Sequence, residues 1–243
     1  MEFKVIHIEE TDSTNRWLKT HGDESNLCVV AEYQTAGKGC GTNSWESERG
    51  KNLTFSMLIH PTDIPFAAVA SQRLQAKEQF RITEMVSVAL CETIGMEASI
   101  KWPNDIYVGE RKICGILIEN RLQGSVIKES IIGIGLNVNQ TEFMSDAPNP
   151  VSIKQLTGRD TDREALLNDF LRTFGEVSAR ENTGSDYRKR LFRLGKKAAF
   201  ADETGRFEGT IVDVEADGHL LIRDEAGQVR RYAFKEVQFI INK

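Results

Sequence analysis

Several large protein classes are excluded by what this chain lacks. No run of its 243 residues approaches the roughly 18 consecutive apolar residues that a membrane-spanning helix needs. The amino end, "MEFKVIHIEE", alternates apolar and polar residues and has neither a basic head nor a long apolar centre, so it reads as a strand and not a secretory leader. Positive charge is not in excess: the formal net charge is −5, which argues against bulk attraction to nucleic acid or membrane and makes any cationic work local. The four cysteines, Cys28, Cys40, Cys91 and Cys114, are far apart and form no CxxC pair. Three of them lie in apolar patterns where buried thiols are expected, and no metal-ligand set is indicated. There is no internal repeat and no low-complexity tract. With 40% apolar and 28% charged residues, the chain has ordinary globular usage and enough length for a large domain plus a small one. A reduced, cytoplasmic enzyme or binding protein is expected.

Residues 3–10 read as a strand, 11–22 as a short helix capped by Thr11 or Asp12 and stopped by Gly22, and "LCVVAEY" (27–33) as a buried strand. The segment "TAGKGCGTNSWESERGKN" (35–52) follows, with four glycines, two lysines, an arginine and a tryptophan but no helical or strand period. Since "LTFSMLI" (53–59) alternates, this loop hangs between two strands that can aim it. Ile82, Met85, Val86, Ala89, Leu90 and Ile94 recur at spacings of three and four and mark an amphipathic helix. "ASIKWPNDIYV" (98–108), "KICGILIEN" (112–120) and "ESIIGIGLNVN" (129–139) are strand-like runs on short connections, an antiparallel meander. Residues 140–151 have loop chemistry, and helices are expected at 162–180 and 186–195. From Gly195 the texture becomes short β runs, which suggest a small β-barrel appendage. The class is α+β, a largely antiparallel sheet backed by helices, followed by a small all-β unit.

Four segments can carry chemistry. In "KWPND", Lys101 points to the opposite face from Ile100 and Trp102, and a lysine in a sheet interior is costly unless an anion meets it. In "GIGLNVN", Gly133 and Gly135 weaken a strand, as glycines do where a ligand or another chain segment comes close. "DSTN" (12–15) places short hydrogen-bonding side chains and free amides at a helix start. The glycine-rich loop is no P-loop, because no GK[ST] opens a helix, and no dinucleotide fingerprint, because no βαβ unit follows.

In the order "DSTN", "AEYQTAGKG…W", "KWPND", "GILIE", "GIGLNVN" and a β-rich tail, the chain resembles the biotin protein ligases and their lipoate ligase relatives over nearly its whole length. The resemblance implies a class II aminoacyl-tRNA synthetase-like catalytic domain over 1–194 and an SH3-like β-barrel over 195–243. It also implies an enzyme that joins biotin to ATP as biotinyl-5'-AMP, with Mg²⁺ on the nucleotide, and passes the biotin to a lysine of a biotin carboxyl carrier domain. Lys101 then stands between carboxylate and α-phosphate as the catalytic cation. Ser13, Thr14, Asn15, Gln34, Lys38, Gly39, Cys40 and Gly115 match biotin-side positions. Gly37, Asn43, Trp45, Lys112 and Asn137 match the nucleotide side, and Phe143 is a candidate to stack on adenine. A winged DNA-binding domain ahead of the catalytic one is not expected, nor is DNA or membrane among the partners. Monomer and homodimer stay open. A lipoate- or octanoate-transferring enzyme and a non-catalytic biotin sensor are the alternatives.

The chain departs from the family pattern G-R-G-x-R-G-x-x-W in its loop. Lys38 replaces the first arginine, Gly41 the second, and Thr42 a glycine; near the end, "KE" (Lys235, Glu236) stands for "GE". A lysine loses the planar fork of arginine, and Gly41 loses the charge. The expectation is a lid that holds the adenylate less tightly, unless neighbouring cations such as Arg49 compensate.

Overall fold

A computed structural model describes residues 1–22, 24–41, 43–64, 73–144 and 149–241. Its larger sheet has seven strands: β1 (Lys4–Thr11), β2 (Leu27–Gln34), β3 (Leu53–Ile59), β4 (Ser99–Lys101), β5 (Asp105–Val108), β6 (Arg111–Gln123) and β7 (Val126–Leu136), in the spatial order β1-β2-β3-β7-β6-β5-β4. β1 runs parallel to β2 and every other pairing is antiparallel. The helices are α1 (Thr14–His21), α2 (Phe80–Ile94), α3 (Ile153–Thr157), α4 (Arg163–Ser178) and α5 (Thr183–Lys189). None of the described helices is long and apolar enough to cross a membrane.

The alternation in β3 explains how the layers stack. Leu53, Phe55, Met57 and Ile59 join the main core, where Phe55 meets Phe170 of α4 edge-on at 5.4 Å and α2 packs on α4 and α5. Leu58 faces the other way into a small cluster with Leu18, Leu27, Val29 and Ile131, beneath α1. Thr54 and Ser56 share that parity and are buried too, so both faces of β3 are covered, and the two hydroxyls lie on the side that α1 closes. Fully burying such apolar side chains contributes about 1.5–3 kcal/mol each.

Two local expectations shift. The α1 cap is Ser13, not Thr11 or Asp12: the Asp12 carboxylate accepts the Ser13 N–H at 2.6 Å and pairs with Arg16. The run 98–108 is a hairpin, β4 and β5, in which Lys101 faces Asp105 across a turn at 102–104 that contains a cis Trp102–Pro103 peptide.

The second sheet comprises β8 (Lys197–Asp202), β9 (Gly205–Val214), β10 (Leu220–Asp224), β11 (Val229–Tyr232) and β12 (Gln238–Phe239), ordered β11-β10-β9-β8-β12 and antiparallel throughout. The expected SH3-like β-barrel is not formed, because the sheet is open and β11 and β12 lie at opposite edges. Closure would need β11 to pair with the two-residue β12 across residues 233–237. That segment is instead folded into its own turn, with the Ala233 N–H donating to Glu236 at 2.7 Å and the Glu236 N–H to the Ala233 carbonyl at 3.1 Å. β12 pairs only with β8, and its Phe239 packs near Phe192. The first sheet meets the second through the Trp102 indole, which donates to the Gly218 carbonyl at 2.9 Å.

Candidate active site

A cavity of about 560 Å³ opens where α1, the glycine-rich loop, the β4–β5 turn, the middles of β6 and β7, and the β11–β12 segment converge. Its volume is in the range of small-ligand sites. Among the described residues, four lysines (Lys38, Lys101, Lys112 and Lys235) and one carboxylate, that of Asp105, line it, so a chain of net charge −5 concentrates positive charge here.

The polar wall starts at α1. The first helical N–H, of Thr14, donates to Gln34 Oε1 at 2.8 Å, and the Thr14 hydroxyl reaches the same oxygen at 3.1 Å. Strand β2 thereby caps the helix that follows β1. Ser56 Oγ lies 2.6 Å from both Thr14 Oγ1 and Asn15 Oδ1, and Asn15 Nδ2 donates to Glu119 at 2.8 Å. Burial opposes the charge of Glu119, yet hydrogen bonds from Lys19 and Asn15 hold its carboxyl below the usual range. The network fits because Gly133 has no side chain: a Cβ there would sit 2.3 Å from Asn15 Oδ1. A connected and satisfied set of this kind keeps its members in one orientation.

The loop is folded on itself. Trp45 N–H bonds the Gly37 carbonyl at 2.9 Å, Gly39 N–H bonds the Asn43 carbonyl at 2.8 Å, and Lys38 bridges to Ser44. A side chain at Gly37 would come within 2.4 Å of the Trp45 carbonyl, so glycine is what allows the closure. The Trp45 indole lies over two further glycines: a Cβ on Gly135 would be 2.2 Å from Cε2 and one on Gly115 3.0 Å from Cζ3. Its Nε1 is buried with no hydrogen-bond partner among the described residues, a donor that a ligand can satisfy.

Lys101 ends β4. Its Nζ lies 4.9 Å from the Phe239 ring centre and 5.8 Å from that of Tyr107, and makes no hydrogen bond or ion pair among the described residues. Burial pulls this ammonium below the usual lysine range; Asp105 works against the shift and Lys112 adds to it. Asp105 itself is held by Lys112 at 2.7 Å. Ring faces offset only part of the cost of desolvating a cation, so the free amine is poised for an incoming anion.

Of the residues singled out in the sequence, Ser13, Thr14, Asn15, Gln34, Lys38, Gly39, Cys40, Asn43, Trp45, Lys101, Lys112 and Gly115 line this cavity. Gly37 is adjacent and acts through its backbone. Asn137 does not reach the cavity: it is buried, its amide donates to the Val151 carbonyl at 3.1 Å, and its backbone bonds Ile113 and Ile153. Phe143 is half-buried outside it. Thr42 lies outside the described residues. Arg49 is turned away, against Glu10, the Glu9 carbonyl and the Tyr33 ring. Sequence reasoning missed Ser56 and Glu119, whose signal was a hydroxyl in an otherwise apolar strand and an acid in "GILIE". It also missed Asp105, Gln238 and Phe239 on the cavity wall, of which the last two carry no local signal at all.

The sequence profile of the Biotin/lipoate A/B protein ligase family matches residues 5–137, more than half of the chain. The bifunctional ligase/repressor BirA of Bacillus subtilis (strain 168) is 28% identical over 93% of this chain and 70% of that protein. The biotin--[acetyl-CoA-carboxylase] ligase of Paracoccus denitrificans is 26% identical over 91% and 95%. Among solved structures, the biotin protein ligase from Aquifex aeolicus in complex with biotin and ATP superposes with a TM-score of 0.74 and 29% identity, covering 98% of this chain and 99% of that one.

Proposed function

Because this chain belongs to the biotin/lipoate A/B protein ligase family, we propose that its cationic cavity is where biotin meets ATP. The protein is an ATP-dependent ligase that activates biotin as biotinyl-5'-AMP and transfers it to a lysine of a carrier protein. The observation that carries the site assignment is the Lys101 amine, without a hydrogen bond or ion pair among the described residues, on a wall shared with the Thr14–Gln34–Asn15 network.

The reaction has an electrostatic difficulty. A carboxylate must approach a triphosphate, and charge accumulates on the α-phosphate as the new anhydride bond forms and pyrophosphate leaves. Lys101 neutralises both anions at the point of contact, and the ammonium already deprived of water does not need to reorganise when they arrive. Ser13, Thr14, Asn15 and Gln34 present donors and acceptors to the ureido ring, Gly39 and Cys40 close over it, and Gly115, beneath the Trp45 indole, borders the biotin side of the wall. Trp45, Asn43 and Lys112 face the nucleotide. Holding the two reactants in line converts an encounter between two anions into a local rearrangement. The loop then shields the mixed anhydride from water until the carrier lysine attacks its carbonyl and AMP departs.

Mg²⁺ belongs with the triphosphate, where it neutralises the departing pyrophosphate. Asp105 is the one carboxylate among the described lining residues, and Lys112 occupies it, which suits an ion carried mainly by phosphate oxygens. The acceptor is a biotin carboxyl carrier domain, and the compartment is the cytoplasm, in keeping with four cysteines that form no disulfide. Residues 1–194 act as the catalytic unit, with 195–243 as a C-terminal unit that completes the cavity wall.

Release of pyrophosphate from ATP, with and without biotin, tests the reading. Biotin-dependent release is expected, with lipoate and octanoate inert in its place. Stimulation by lipoate alone would move the protein to the neighbouring branch, and binding of biotin without turnover would make it a sensor.

A further inference from the structure

Of the lysines that line the cavity, Lys38 and Lys235 have no part in the reaction above, and Lys235, on the β11–β12 turn, comes from outside the loop and the first sheet. Its backbone has φ +73°, a left-handed conformation that favours glycine and burdens a side-chain-bearing residue. The neighbouring Glu236 fixes the turn by accepting the Ala233 N–H, so the lysine is held out in a defined direction. That direction is toward the loop. A Cβ placed on Gly41 would lie 2.4 Å from Lys235 Nζ; the ammonium therefore fills the space that a side chain at 41 would take. Gly41 is itself at φ +71°. Apart from the Phe234 ring at 5.8 Å, Lys235 makes no hydrogen bond, ion pair or ring contact among the described residues, yet it borders the same cavity as Lys38 and Lys112. Arg49, the nearest alternative in sequence, is already paired with Glu10.

Two departures in the sequence thus meet at one point. Position 41 has lost a side chain and its charge, and position 235 has gained both. We propose that Lys235 is a phosphate ligand of the bound adenylate, delivered by the second sheet and set against the tip of the loop, where it retains the intermediate in place of a loop cation. The assignment rests on the ligase reading and adds a specific role for a residue outside the first sheet. In the free protein the ammonium shares the cavity with three other lysines, and Asp105, the one carboxylate among the described lining residues, is taken by Lys112, so an arriving phosphate relieves repulsion while it gains a charge-assisted hydrogen bond. The same contact draws loop and C-terminal turn together over the ligand.

Lys235→Gly and Lys235→Arg test it. Glycine accepts φ +73° without strain, so the fold is retained, and a melting temperature at or above the parent's checks this. With the enzyme saturated in biotin, AMP and adenosine are titrated in parallel. Lys235→Gly should weaken AMP about ten-fold, the size of one charge-assisted hydrogen bond, while adenosine and biotin affinities stay as in the parent. Escape of biotinyl-adenylate in the absence of an acceptor, read as biotin appearing on a bystander protein, should accelerate by a similar factor, and Lys235→Arg should reverse both effects. Equal AMP affinity and equal escape in parent and Lys235→Gly overturn the proposal, as does an equal loss for AMP and adenosine. Failure of the underlying ligase reading is seen separately, as a parent enzyme that releases no pyrophosphate with biotin.

Discussion

Replacing Lys101 by methionine separates catalysis from stability. The side chains have similar length and volume, so packing against Phe239 and Tyr107 is largely kept. What is lost is an ammonium with no hydrogen bond or ion pair among the described residues, supported in the free protein by two ring faces at 4.9 and 5.8 Å. Such contacts are worth about 0.5–2 kcal/mol, against a desolvation cost that already depresses the amine's pKa. The variant should therefore be as stable as the parent or more so, within about 1.5 kcal/mol. The sign of the pH dependence follows. With a folded-state pKa below the ordinary 10.5, the unfolded chain binds more protons in that window. Parent stability consequently rises as pH climbs from the folded value toward 10.5, and the variant loses that slope. Catalysis should move in the opposite direction. Removing one preorganised group that meets transition-state charge costs about 10²–10³ in rate, read as single-turnover formation of biotinyl-adenylate, with urea melts as the companion measurement. Adenylation at close to the parent rate would refute the role given to this amine. A slow variant whose urea midpoint had also collapsed would refute the claim that the side chain serves chemistry and not the fold.

The two strand glycines should report on opposite halves of the cavity. Gly135→Ala puts a Cβ 2.2 Å from Trp45, so the indole must move; overpacking of this kind costs about 1–3 kcal/mol, and the KM for ATP should rise while the Kd for biotin holds. Gly133→Ala strikes Asn15 at 2.3 Å and should weaken biotin instead, as calorimetry would detect; the reverse pattern would overturn the assignment of sides. Away from the site, Glu84 of α2 is buried, and burial pushes its carboxyl up to about 7 against the pull of Arg188 and Arg81. Folding then retains a proton that the unfolded chain releases, so stability contributed by this group is complete below about 4.5 and is lost as pH rises through about 7. Glu84→Gln should raise the unfolding free energy at pH 8 by about 2–3 kcal/mol and leave it nearly unchanged at pH 4.5; a loss of stability at pH 8 would show that the ionised form is needed.

Much of this protein is written in local pattern. The period of two in β1 and β3, the continuous apolar run of β2, the three-and-four spacing of α2, and the motifs "DSTN", "KWPND" and "GIGLNVN" determine, before any coordinates, which faces are apolar and which segments carry chemistry, because side-chain direction in a strand or helix depends only on position along it. Even the two weak glycines of β7 announce that something must come close. What comes close is decided elsewhere: Trp45 from one loop and Asn15 from α1 occupy the space, and neither distance can be read from spacing. The capping of α1 by Gln34, the diversion of Asn137 into the bonds that hold Val151 and Ile153, and the open edge of the second sheet depend on which backbone groups were left unpaired once the chain had closed on itself. The expected barrel went wrong for that reason, since strand count is local and edge pairing is not. Lys235 sits about two hundred residues from Gly41 along the chain, and only folding sets its ammonium against that turn. Local chemistry names the parts; long-range packing, which satisfies buried polar groups from whatever segment is near in space, settles which of them meet.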